Sequence, residues 1–263
     1  MAAPKVQNDP IINLPFLYKY GLQLSLSNDL TLSISAGTCR DSNNVMDIVV
    51  GGQNVEGESE PASLTLNFAV NGVNGLDAGT ITGSEMYAIY LIADSRYYLP
   101  TACIATLDSN DFPLVPMGYD SIRLIGYWPS EIVSAVLQTG YYSGISNDLT
   151  FYYDGVRPVL LNGVSTTPAN FQLGSTIPLV DNVPVTLACI YTPAGIAPTS
   201  LFNILYAVSG GTQGTLGGQV ATVPFYSDME AISQLVMDIP TLQYTVSAGD
   251  SVNVDLVSFS ISV

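Results

Sequence analysis

The sequence predicts an all-β protein, an antiparallel β-sandwich of jelly-roll-like kind, with two β domains after an irregular N-terminal arm. Three observations predict it. Apolar residues alternate with polar ones at a period of two in many short stretches, as a half-buried strand requires. Gly, Pro, Asn and Asp punctuate those stretches at regular intervals, the pattern of a sandwich or barrel. The final segment is the clearest strand: Val252, Val254 and Leu256 alternate with Asn253 and Asp255, and Phe259, Ile261 and Val263 alternate with serines. Its apolar face changes side near Val257, which a β-bulge would explain. The expected division is an arm over 1–20, a β-sandwich domain over 21–128 and a second β-rich domain over 129–263.

The arm contains Pro4, Pro10 and Pro15. Proline removes a backbone donor and fixes φ, so neither a regular strand nor a helix is expected there. Its apolar residues Ile11, Ile12, Phe16 and Leu17 are candidates for docking onto a neighbouring subunit or onto the chain's own domain.

From Gly21 the period becomes two. Leu22, Leu24 and Leu26 lead into a turn at Ser27-Asn28-Asp29, and Leu30, Leu32 and Ile34 lead away from it. Asn and Asp suit that turn because their side chains bond nearby backbone and tolerate positive φ. Further strands are expected at 45–50, 63–70, 87–93, 102–107 and 121–127, then at 133–138, 149–153, 159–161, 185–191, 204–208, 221–224, 242–246 and 252–261. Ser27-Asn28-Asp29-Leu30-Thr31 recurs as Ser146-Asn147-Asp148-Leu149-Thr150, for which turn-then-strand chemistry is the simpler explanation than duplication.

Two segments favour a helix locally. Ser227-Asp228-Met229-Glu230 reads as a capping box, and Met229, Ile232, Val236 and Ile239 follow at near-helical spacing, which predicts a short helix over 228–237. Pro129-Ser130-Glu131 opens a weaker one, opposed by the β-branched Ile132 and Val133.

Composition narrows the function. Charged residues are 11% of the 263, and 22 Asp and Glu face 6 Lys and Arg, for a net charge of −16. An ordinary globular domain carries about 25% charged residues, so this chain covers itself with small polar side chains or buries its surface against partners. Clustered cations are lacking, so neither nucleic acid nor an anionic membrane is an expected partner. The opening MAAPKVQNDP has no apolar core of a signal peptide, and no run of about 20 apolar residues is long enough to span a bilayer.

The chemistry is equally bounded. There is no histidine, which removes His-dependent triads and His metal sites. No phosphate-cradling glycine motif appears. Cys39, Cys103 and Cys189 are widely separated and sit among apolar or small residues, the setting of buried, inert thiols. Carboxylate pairs such as Asp94 and Asp120 leave a glycosidase open on distance grounds alone, with solvated loop acids as the simpler account. Asp41-Ser42-Asn43-Asn44 and Asp108-Ser109-Asn110-Asp111 are rich in oxygen, as a Ca²⁺ loop would be, and equally as turn formers are. No catalytic residue, cofactor or metal is assigned.

Sixteen tyrosines include the adjacent pairs Tyr97-Tyr98, Tyr141-Tyr142 and Tyr152-Tyr153. Neighbours on a strand point to opposite faces, so one of each pair is expected outward. Tyr97, Tyr98, Tyr141 and Tyr142 are therefore the interface candidates, with surface packing and sugar stacking as the other uses of such rings.

Four stretches in order carry a family likeness: Gly37-Thr38-Cys39-Arg40-Asp41-Ser42-Asn43-Asn44, the run from Asn71 to Gly79, the run from Tyr87 to Ser95, and Met117-Gly118-Tyr119-Asp120-Ser121-Ile122-Arg123-Leu124-Ile125-Gly126. Leu137-Gln138-Thr139-Gly140 and Phe151-Tyr152-Tyr153-Asp154 extend it. Over about 37–154 the chain resembles phage structural proteins of the tail-fibre-like and head-decorating kind. The resemblance implies a non-enzymatic virion component, made in the host cytoplasm, with other capsid or tail proteins as partners and a homo-oligomer, by analogy a trimer. It implies no catalytic residues and leaves open the position on the particle. A module gripping host surface glycans is the alternative reading.

Overall fold

Where apolar and polar residues alternate, only one face of a strand can leave water, so such segments pair into sheets. The computed structural model describes residues 18–53, 57–110, 112–145, 147–155, 157–194, 200–208, 210–218 and 225–263. The fold is all-β, and its sheets are mostly antiparallel. Among the described residues the sole helical turn is a 3₁₀ turn at Gly174–Thr176. The chain divides into two compact units, one of residues up to 149 together with 261–263, the other of residues 150–260. Residue 128, where the sequence suggested a boundary, lies inside a strand.

In the first unit the strands are β1 (Lys19–Gly21), β2 (Leu24–Asn28), β3 (Thr31–Ile34), β4 (Gly37–Arg40), β5 (Asp47–Val50), β6 (Leu64–Asn71), β7 (Gly75–Leu76), β8 (Met86–Ala93), β9 (Ala102–Leu107), β10 (Ser121–Pro129) and β11 (Gly140–Ile145). They form a three-stranded sheet, β1-β4-β5, and a seven-stranded sheet, β10-β8-β9-β7-β6-β3-β2. Among the described residues only the two-residue β7 pairs in parallel, with β6 and β9. The predicted hairpin is β2–β3, and Asn28 Oδ1 accepts the Leu30 N–H at 3.0 Å in its turn. All eight residues of β8 are buried, because β9 and β10 flank it and both its faces are covered.

Among the described residues no strand pairs with the outer edge of β10. A bulge at Ile125 breaks its register with β8. The Ile125 carbonyl there accepts the buried Lys19 ammonium at 2.8 Å. The next exposed-edge groups belong to Tyr127. Its N–H donates to Tyr142 Oη at 3.1 Å, and Tyr142 Oη donates back to its carbonyl. Side chains thus take the place of a neighbouring strand and blunt the edge. Gly126 makes this possible, since a Cβ there would lie 2.8 Å from Leu24 Cδ1 on β2.

The second unit contains most of β12 (Asp148–Tyr153), then β13 (Pro158–Gly163), β14 (Ala169–Gln172), β15 (Pro184–Thr192), β16 (Ser200–Leu205), β17 (Thr212–Gly218), β18 (Phe225–Ile232), β19 (Gln234–Val236), β20 (Ile239–Val246) and most of β21 (Ser251–Ser262). One sheet runs β12-β21-β15-β18, with β13 also on β21. The other runs β14-β20-β16-β17, with β19 also on β20. Phe151, Tyr153 and Phe259 cluster at centroid distances of 5.1 to 6.1 Å in its core, Phe151 stacked on Phe259 and edge to face with Tyr153. The face change expected near Val257 is present: Ser258 stands opposite Thr186 and Leu256 opposite Leu187, so Val257 is the bulged residue.

Three expectations change. Residues 228–237 are strands β18 and β19 rather than a helix, because Met229, Ala231 and Ser233 bury one face while Asp228, Glu230 and Ile232 face out. A period of two in partners outweighed a period of 3.6 in the local sequence. The segment 133–138 is irregular, contributing only an isolated bridge between Ser130 and Leu137. The strands β1, β4, β7, β11, β14, β17 and β19 were not anticipated. The expected strand at 221–224 lies outside the described residues, as do residues 1–17 of the arm with Ile11, Ile12, Phe16 and Leu17.

Candidate functional site

Four of the five cations among the described residues are buried. Lys19, Arg40, Arg123 and Arg157 all lie in the interior, and Arg96 alone is exposed, with 61% of its side chain open to solvent. The interior cations serve the fold. Arg40 fills the Asp41-Ser42-Asn43-Asn44 loop, bonding Asn44 Oδ1 at 3.1 Å, the Asn44 carbonyl at 3.1 Å and Asp47 Oδ1 at 3.0 Å. Asp41 Oδ1 accepts the amides of Val45 and Met46 at 2.6 and 2.9 Å. The guanidinium occupies the oxygen-rich loop that the sequence offered to a metal. No group of three potential ligands stands together among the described residues.

Arg96 belongs to a loop tip built on β8 and β10. Asp94 directly follows β8, and its buried carboxylate accepts the N–H of Arg96 at 3.0 Å, Arg96 Nε at 3.0 Å and the N–H of Tyr98 at 3.2 Å. The Asp94 carbonyl accepts the Tyr97 N–H at 2.8 Å, which places Tyr97 at a φ of +60°. Asp120, just before β10, accepts the amide and hydroxyl of Ser95 at 2.7 and 2.6 Å. Burial alone would raise the Asp94 carboxyl, yet the bonds and charge of Arg96 outweigh it and hold it below the usual carboxylate range. The two bonds from Ser95 lower Asp120 likewise. Both acids are thus held ionised as staples of the loop. The pair weighed for glycosidase chemistry offers no proton to donate at neutral pH.

The rest of the tip is apolar. Leu99 packs over Gly118, where φ is +101° and a Cβ would meet Leu99 Cδ1 at 2.7 Å. Tyr119 Oη donates to the Pro100 carbonyl at 3.3 Å. Tyr98 is 80% exposed, Met117 99%, and Leu99 is also open to solvent. The Arg96 guanidinium lies 5.5 Å from the Tyr98 ring centre. The hydrogen-bonded tip therefore exposes one cation, stacked on Tyr98, together with Leu99 and Met117.

The tyrosine candidates separate. Tyr97 and Tyr98 sit together in the tip, Tyr97 half-buried. Tyr141 on β11 is 58% exposed, whereas Tyr142 turns inward to β10 and meets Trp128 edge to face at 5.8 Å. Tyr142 bonds Tyr127, which stands opposite Ala88, five positions from Ala93 and so roughly 17 Å from the tip end of β8. Sequence reading missed Arg96, Leu99 and Met117 as members of one site, since nothing in their spacing reveals that residues 94–100 and 116–120 meet.

No protein-family model matches the chain, and no curated protein matches it. Solved structures similar to it at a low level come from infectious bursal disease virus. The structure of the Gx strain shares 11% identity over 93% of this chain and 71% of that one, with a TM-score of 0.21. The VP2 subviral particle shares 11% over 93% and 71%, with a TM-score of 0.23, and the virus-derived T=1 particles share 11% over 93% and 68%, also at 0.23. Overlap at this level does not establish a common fold.

Proposed function

We propose that this protein is a non-enzymatic structural component of a bacteriophage particle, acting through protein–protein assembly as a capsid decoration, head fibre or tail-associated protein. The observation that carries the assembly reading is the tip: Tyr98, Leu99 and Met117 stand in water on a frame whose carboxylates, Asp94 and Asp120, are spent on holding it. Ordering costs for such a surface are met in advance, which is what a binding face needs. The phage assignment rests on the likeness of the motifs over 37–154.

Locating the chain in a reconstruction of particles that carry it tests the reading. Density for the chain on the outer surface is expected, and its absence from purified particles would overturn the assignment. Deleting residues 1–20 should leave a folded protein that no longer joins particles. Exposed rings at Tyr98 and Tyr141 favour a second reading, stacking on host surface sugars. Binding on a glycan array that is lost in Tyr98→Ala or Tyr141→Ala would favour that reading over pure assembly.

A further inference from the structure

We infer that the Arg96 tip is a docking face for a second copy of this chain, seated on the outward row of β18, an inference that rests on the assembly reading above. The partner follows from charge. Among the described residues Arg96 is the exposed cation, and the exposed charges elsewhere are carboxylates, among them Asp29, Glu58, Asp148, Asp154, Asp181, Asp228, Glu230 and Asp238. With a net charge of −16, copies repel one another over most of their surface. Contact is relieved where the one exposed guanidinium meets acid.

The row that fits is on β18. Tyr226, Asp228, Glu230 and Ile232 all face outward, opposite in direction to the buried Met229 and Ala231. Two acids are thus flanked by two apolar side chains, the complement of a cation flanked by Tyr98, Leu99 and Met117. Asp228 and Asp255 both stand opposite Ala188, one on each side of it, so a small side chain floors the space between two carboxylates. Arg96 spends Nε on Asp94, and its terminal nitrogens remain to fork onto such an acid.

β18 is also an outer strand of its sheet. Two copies of β18 laid edge to edge would set Asp228 and Glu230 against the same acids, so strand-to-strand pairing is opposed. A contact between two different surfaces remains. Contacts of that kind run head to tail and close into a ring when the rotation allows, each copy using its tip once and its β18 row once.

The test is the mass of the full-length chain in solution over a range of concentrations, measured for charge reversals at both surfaces. Arg96→Glu, Met117→Glu and Glu230→Arg should each weaken association by at least about tenfold. The double variant Arg96→Glu with Glu230→Arg should recover it. All three positions are exposed, and unchanged circular dichroism and melting temperature confirm folding. An oligomer that survives both tip substitutions overturns this inference and leaves the assembly reading standing. Loss in the single variants without recovery in the double variant overturns β18 as the partner surface. A wild-type chain that stays monomeric at the highest attainable concentration overturns this inference too, whereas the assembly reading falls only if the chain is absent from purified particles.

Discussion

Asp94 and Asp120 hold a loop by taking backbone and side-chain donors at 2.6 to 3.2 Å, and their role depends on partners that sequence spacing does not announce. Gly118 is a more local case. Its left-handed φ strains any other residue, and a Cβ there would come within 2.7 Å of Leu99 Cδ1 and push that side chain aside. Gly118→Val should cost on the order of 1–3 kcal/mol in urea unfolding, and a variant of wild-type stability would refute this account. The thiols make a pH prediction. Burial pushes Cys39, Cys103 and Cys189 each from 9.0 up to about 12, so between those values the folded chain keeps protons that the unfolded chain has lost. Stability from these groups is present below pH 9 and is lost as pH rises toward 12. Burial lowers Lys19 from 10.5 to about 8, which works the other way, raising stability between those values. One lysine acts against three thiols. The urea midpoint should therefore rise slightly from pH 8 to 9 and fall above it, and a midpoint still climbing at alkaline pH would contradict the burial of the thiols.

Strand β18 shows what an element owes to its neighbours. Its capping box is a helix-start signal in sequence, yet β15 supplies eight paired residues along it and the alternation of Met229 and Ala231 meets that surface. The Gln213 amide on β17 reinforces the result, donating to the Ile232 carbonyl at 2.9 Å and accepting its N–H at 2.6 Å. Gln213→Ala leaves two backbone groups without that partner and should cost about 1–2 kcal/mol. A melting temperature unchanged by it would show that water replaces the amide. On β10, Gly126→Val would drive a side chain into Leu24 and separate the Tyr142 hydroxyl from Tyr127, with a cost of about 1–3 kcal/mol in denaturant unfolding. A neutral result would show that the edge has slack. The sequence made β10 legible as a strand and β18 only as a segment with an apolar face, misread as a helix over 228–237. Neither the residue that seals the edge of β10 nor the one that seals β18 was legible, because each comes from a remote segment.

At the scale of the molecule, unit 150–260 is continuous in sequence while the first unit needs the chain's last three residues. The Val263 N–H donates to the Asn147 carbonyl at 3.0 Å, and the Ser262 hydroxyl donates to Asp148 Oδ1 at 2.9 Å. A fragment of residues 150–260 should therefore fold by itself, giving a cooperative thermal transition with a β-type circular dichroism spectrum. A disordered fragment would show that the division by contacts is not a division of stability.

The sequence by itself determined the fold class, the first hairpin, the bulge at Val257 and the anionic character, because each depends on residue type and on a period of two along one segment. The tertiary structure alone decided that, among the described residues, four cations turn inward and one outward, that two acids become loop staples, and that Leu99 meets Gly118 beside Met117. Those outcomes depend on which distant segments pair, and pairing is set by burial summed over whole sheets rather than by any one stretch.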